Sequence, residues 1–163
     1  MLRRRALVVM ASLLVLGAVA VPVVAFVVIP QFVRQTLVEE LPAPTGASSP
    51  GATPEAPATL VSGELVRISV ADFGTGTVRI VKAGGATVLR FDNVDIAGAP
   101  DTYVYLSDRT DGAPGRFTDL GRLKATNGSF NYPIPPGVDL AGVRSVVVWC
   151  RQFSVTITYA TLH

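Results

Sequence analysis

One cysteine and one histidine in 163 residues leave this chain without the groups on which most site chemistry depends. Cys150 has no second cysteine, so an intrachain disulfide framework, a Cys-rich zinc site, a CxxC redox pair and a CxxCH haem attachment are all excluded. The one histidine is the terminal His163, so no Ser/His/Asp or Cys/His constellation is on view. A metal site would need mainly oxygen ligands, and neither a metal nor a cofactor is evident. Excess charge is scarce as well. Arg3, Arg4 and Arg5 supply three of the fourteen basic side chains, leaving eleven against twelve acidic ones. With no basic stripe interleaved with aromatics, nucleic acid is excluded as a partner.

What is present is one long apolar run. Ala6 to Ile29 contains no charged residue, and Ser12 is its most polar side chain. As a helix it would reach about 36 Å, at about 1.5 Å per residue, against a hydrocarbon core of about 30 Å. Arg3–Arg5 precede it, and the positive-inside rule keeps such a cluster cytoplasmic. The expectation is a cytoplasmic tip (1–5), a single-pass transmembrane signal anchor (6–29) and an extracytoplasmic remainder. Ala18-Val19-Ala20 also resembles a signal-peptide cleavage site, but the apolar run continues for nine residues beyond it.

Residues 30–60 read as a juxtamembrane segment and stalk, with Gln31–Leu41 continuing as a short helix. Pro42–Pro57 (PAPTGASSPGATPEAP) is too poor in large apolar residues to form a core and suits an extended spacer. From 61 to 163 the texture changes to short Val, Ile, Thr, Phe and Tyr runs separated by Gly, Asp, Asn and Pro. Eight strands are expected: Glu64–Val70, Gly76–Val81, Thr87–Phe91, Thr102–Leu106, Phe117–Leu120, Ser129–Ile134, Arg144–Cys150 and Ser154–Ala160. In the last, Phe153, Val155, Ile157 and Tyr159 should share one face. Asn127-Gly128 reads as a tight turn. The fold class is all-β, a β-sandwich or jelly-roll-like domain behind one N-terminal transmembrane helix.

Cys150 ends the run Val146-Val147-Val148-Trp149-Cys150, apolar on both faces as in an interior strand. It is the candidate redox residue, with Trp149 as possible support, set against the plainer reading of a buried thiol serving as a small hydrophobe. Arg151 should face the other way, since adjacent strand residues alternate. Asp108 and Asp111, and Asp92 and Asp95 around Asn93, could suit calcium, but they lack EF-hand spacing and fit Asx turns. Gly74-Thr75-Gly76 is too short for a phosphate loop. No catalytic constellation is visible.

A series of strings then carries a family resemblance: Ser62-Gly63-Glu64-Leu65, Gly76-Thr77-Val78-Arg79-Ile80, Val88-Leu89-Arg90-Phe91, Pro100 to Ser107 (PDTYVYLS), Leu120-Gly121-Arg122-Leu123-Lys124, Gly128 to Ile134 (GSFNYPI) and Val146 to Val155 (VVVWCRQFSV). In that order they resemble the DM13 family over roughly Ser62 to Leu162. The anchor and Pro-rich stalk are similar to those of actinobacterial members. The resemblance implies an all-β domain with a characteristic cysteine, here Cys150, and a part in electron transfer. It also implies a histidine just before the G-T-G-like segment in many bacterial relatives. This chain has Val70-Ala71-Asp72-Phe73-Gly74 there, which makes a haem or copper centre harder to build.

Two functions are consistent with this reading. One is a membrane-tethered redox module in which Cys150 passes through a sulfenate, mixed disulfide or thiyl state with an external redox partner. The alternative is a non-catalytic cell-surface module binding an envelope protein or polymer, with loops such as Ser107–Gly115 making the contacts.

Overall fold

In a computed structural model of the chain, residues 34–43 and 56–163 are described, together with the isolated helical positions Met10 and Ala18. Apart from those two positions, the expected anchor lies outside the described residues, as do the cytoplasmic tip and most of the Pro-rich stalk. Among those described, no helix is long and apolar enough to cross a membrane.

Nine strands account for the described fold: β1 (Thr36–Val38), β2 (Ala58–Glu64), β3 (Gly74–Ala83), β4 (Ala86–Ile96), β5 (Thr102–Ser107), β6 (Phe117–Arg122), β7 (Asn127–Pro133), β8 (Ser145–Cys150) and β9 (Val155–Thr161). They form a five-stranded sheet, ordered β1-β7-β4-β3-β2, and a four-stranded sheet, ordered β6-β5-β8-β9. Val78, Ile80, Leu89, Phe91, Phe130 and Tyr132 of the first sheet pack with Val104, Leu106, Val146, Val148, Cys150 and Ile157 of the second in one apolar core. The arrangement is all-β with two sheets across a shared interior, as the alternating runs required. Phe91 stacks on Phe130 at 5.0 Å between ring centres.

The turn between β3 and β4 is Gly84-Gly85, with φ of 58° and 79°. Paired positive φ values at a two-residue connection are what a twisted hairpin demands, and glycine supplies them without strain. Asn127-Gly128, expected to make such a turn, instead opens β7. A Cβ on Gly128 would lie 2.1 Å from the Leu37 carbonyl oxygen, so the glycine is what lets β1 approach.

β1 itself corrects the expected helix over Gln31–Leu41. Thr36–Val38 pairs in parallel with Asn127–Ser129, and the Glu39 amide donates to the Ser129 carbonyl at 2.7 Å. A partner about ninety residues away overrides whatever the local pattern favours. Residues Arg34–His163 accordingly group as one unit. The strand expected over Glu64–Val70 does not form, and β2 instead runs Ala58–Glu64, beginning within the segment expected to be stalk. After Glu64 the chain turns, closed by the Ile68 and Ser69 amides donating to the Asp72 carbonyl.

The face expected for Phe153, Val155, Ile157 and Tyr159 is not a single face. A register shift opposite Val148–Trp149 leaves both Ile157 and Thr158 buried. Phe153 falls in the turn before β9, exposed.

Candidate functional site

Cys150 is the last residue of β8, an interior strand paired with β5 and β9. Strand alternation sends Val146, Val148 and Cys150 into the core and Trp149 to the opposite face. The thiol is fully buried, at 0 % exposure. Its Sγ donates to the Pro100 carbonyl at 2.9 Å, so the turn Ala97–Asp101 lies over the sulfur. That turn is also held by Thr102 Oγ1 donating to the Ala99 carbonyl at 2.8 Å, by the Ala97 amide donating to the Phe73 carbonyl at 2.9 Å and the Arg151 amide to the Asp101 carbonyl at 3.0 Å, and by the ion pair of Arg122 with Asp101 at 3.2 Å. Asp101 has φ of 52°, a left-handed conformation that Asp adopts more readily than most residues.

Arg151 lies away from the sulfur, as alternation required. Its Nε donates to the Tyr105 hydroxyl at 2.6 Å and its second guanidinium nitrogen to Asp119 at 2.6 Å. The guanidinium also lies 3.4 Å from the Tyr103 ring centre. The Tyr105 hydrogen bond, and then Asp119, stabilise its charged form and raise its pKa despite some desolvation. This cation stabilises the outer face of the sheet and does not activate Cys150.

That outer face is aromatic. Tyr103 sits opposite Trp149, and Tyr105 opposite Val147, while Tyr105 stacks on Phe117 at 4.1 Å. Tyr159 comes from β9. The loop after β5 folds onto this face, where Thr156 Oγ1 donates to the Gly112 carbonyl at 2.8 Å. Between this loop, the Val66–Asp72 turn and the start of β9 is an open cleft of about 620 Å³. Trp149, Tyr159, Thr156, Ile68, Arg67 and Asp72 line it. The aromatic alternation of Thr102-Tyr103-Val104-Tyr105 was readable as a motif. The cleft was not, because three segments distant in sequence build it.

The carboxylates considered for calcium are committed elsewhere. Asp108 accepts from the Arg116 amide and side chain, both at 2.9 Å. Asp111 pairs with Arg109 and also accepts from the Ala113 amide. The Arg109 hydrogen bond leads the causes that hold the Asp111 carboxyl at about 2. Asp92 bridges Arg79 and Arg90, and Asp95 pairs with Arg34. Among the described residues, no group of three or more His, Cys, Asp and Glu side chains could hold a metal ion. Gly74-Thr75-Gly76 forms the start of β3 with a bulge. The backbone of His163 pairs with that of Ser62.

A family model described as "Electron transfer DM13" matches residues 68–162, more than half of the chain. No curated protein and no solved structure matches it.

Proposed function

The chain belongs to the DM13 family, and from that membership we propose that its β domain is a redox module tethered to the outer side of a membrane, exchanging electrons through Cys150. The tether rests on the apolar run 6–29 and the arginines before it. The observation that carries the role of Cys150 is its placement. The chain's one thiol stands at a strand end, covered by a short hydrogen-bonded turn, not in mid-sheet. Lifting Ala97–Asp101 would uncover the sulfur without separating the sheets, so exposure needs only local opening.

With no resolving cysteine in the chain, the exchange is bimolecular. The Cys150 thiolate, its proton released to water, attacks a sulfur of a partner protein's disulfide. The partner's S–S bond breaks, a mixed disulfide forms, and the other partner sulfur leaves as a thiolate. Cys150 is oxidised and the departing sulfur is reduced. Shielding by the turn accounts for a lone thiol persisting where solvent oxidants are present.

The test is to incubate the native full chain with 4,4′-dithiodipyridine and follow thiopyridone release. One equivalent should form without denaturant, and none with Cys150→Ser. Release seen only above the unfolding midpoint would overturn the reading.

The binding alternative is favoured by a separate observation, the open cleft on the face opposite the sulfur.

A further inference from the structure

We infer that the cleft beside Trp149 binds a neutral carbohydrate. This inference gives the binding alternative its ligand class and rests on that reading; it is independent of Cys150, whose sulfur faces the core.

Its size falls within the range of about 300–1,000 Å³ typical of small-molecule sites. Two aromatic side chains from adjacent strands, Trp149 and Tyr159, line it, and rings of this kind offer apolar area at little entropic cost. A pyranose presents a C–H face to such rings and a fringe of hydroxyls around it. The cleft supplies complementary polar groups. Thr156 Oγ1 already donates to the Gly112 carbonyl, which leaves the oxygen as an acceptor. The Asp72 carboxylate receives Ser69 Oγ at Oδ2 alone among the described side-chain bonds, so Oδ1 remains for a ligand hydroxyl. Arg67, positioned by its stacking 4.6 Å from the Phe73 ring centre, is the donor on the same rim.

Charge selects the class. Arg67 balances Asp72, and Arg109 neutralises Asp111, so the rim favours neither a polyanion nor a cation. A peptide adding as a strand is also disfavoured. The edge of β9 beside the cleft is occupied, with Ser62 and His163 exchanging backbone bonds at 3.0 Å and the Val66 amide donating to the Tyr159 carbonyl at 3.0 Å.

Trp149 is the chain's one tryptophan, so its emission reports on the cleft directly. The full chain would be titrated with cellohexaose, maltohexaose and chitohexaose, and in parallel with a heparin hexasaccharide and a Leu/Phe-containing peptide. At least one neutral hexasaccharide should shift the emission saturably, with a Kd of about 1 mM or tighter. Asp72→Asn should weaken that binding about tenfold, as should Tyr159→Ala, while Cys150→Ser leaves it unchanged. Asp72 lies on a surface turn, so its variant remains informative should Tyr159→Ala fail to fold. No saturable response to any neutral sugar up to about 10 mM, undiminished binding by Asp72→Asn, or tighter binding of heparin would overturn the inference. Tighter binding of the peptide would overturn the sugar while leaving the cleft a binding site.

Discussion

The outer face of the five-stranded sheet is a lattice of ion pairs, while that of the four-stranded sheet is aromatic. Across β3 and β4, Arg79 stands opposite Arg90, a like-charge pair that would repel. Asp92 sits between them, accepting from Arg79 Nε at 2.6 Å and Arg90 Nε at 2.8 Å. The N-terminal segment then lies along this sheet. Arg90 and Asn131 both donate to carbonyls of that segment, at Glu39 and Glu40. The Asn131 amide donates to the Glu39 carboxylate at 2.8 Å, and Leu41 covers a small cluster of Val81, Ala83 and Val88. On the other sheet, Tyr103, Trp149 and Tyr159 are only partly covered. The two outer faces differ in cover: residues Glu39–Leu41, following β1, lie over one, while the aromatic side chains of the other stay partly open.

The largest expected effect comes from removing that closure. A chain lacking Arg34–Ala43 loses β1 and uncovers Val81 and Val88, and its Tm should fall by more than about 10 °C in a calorimetric scan. A Tm within a few degrees of the intact chain would make β1 an accessory. Next comes Asp92→Asn, which leaves two opposed arginines without their bridge. The three side chains are mostly covered, Arg90 at 12 % and Asp92 at 21 % exposure, so a cost of about 2 kcal/mol is expected in urea titration, below that of a fully buried pair.

Glu39 sharpens the comparison through pH. Burial raises its pKa, but the hydrogen bonds from Asn131 and Lys124 outweigh that and leave it below the ordinary value. A depressed carboxylate stabilises the fold above its unfolded pKa and loses that contribution as pH falls through the folded one. Stability should therefore decline below about pH 4.3, and less steeply in Glu39→Gln. Identical acid profiles would contradict the clamp. The smallest effect belongs to the aromatic face: Arg151→Ala removes an exposed cation and should move the urea midpoint less than Asp92→Asn does.

Much of this fold was legible. The seven strands from β3 to β9 follow short β-branched and aromatic runs broken by turn residues, because burial on a pleated sheet imposes that texture locally. β1 was not legible, since its pairing with Asn127–Ser129 is a contact made across the length of the domain. The same reason misassigned Asn127-Gly128: the glycine serves Leu37, not a turn. Cys150 was singled out by being alone, and its burial followed from β8 being interior. The cleft depends on how the Val66–Asp72 turn and the Gly112 loop converge on β8 and β9, which no local periodicity encodes.

The proposed exchange through Cys150 requires its cover to open locally, independently of the ion-paired sheet. The direct measurement is the rate of Cys150 modification by 4,4′-dithiodipyridine in the native full chain, compared with that in Asp92→Asn. Local opening of Ala97–Asp101 predicts the same rate in both, although the variant is less stable. A rate that rises in proportion to the lost stability would mean that the thiol is reached only by global unfolding, and would contradict the account.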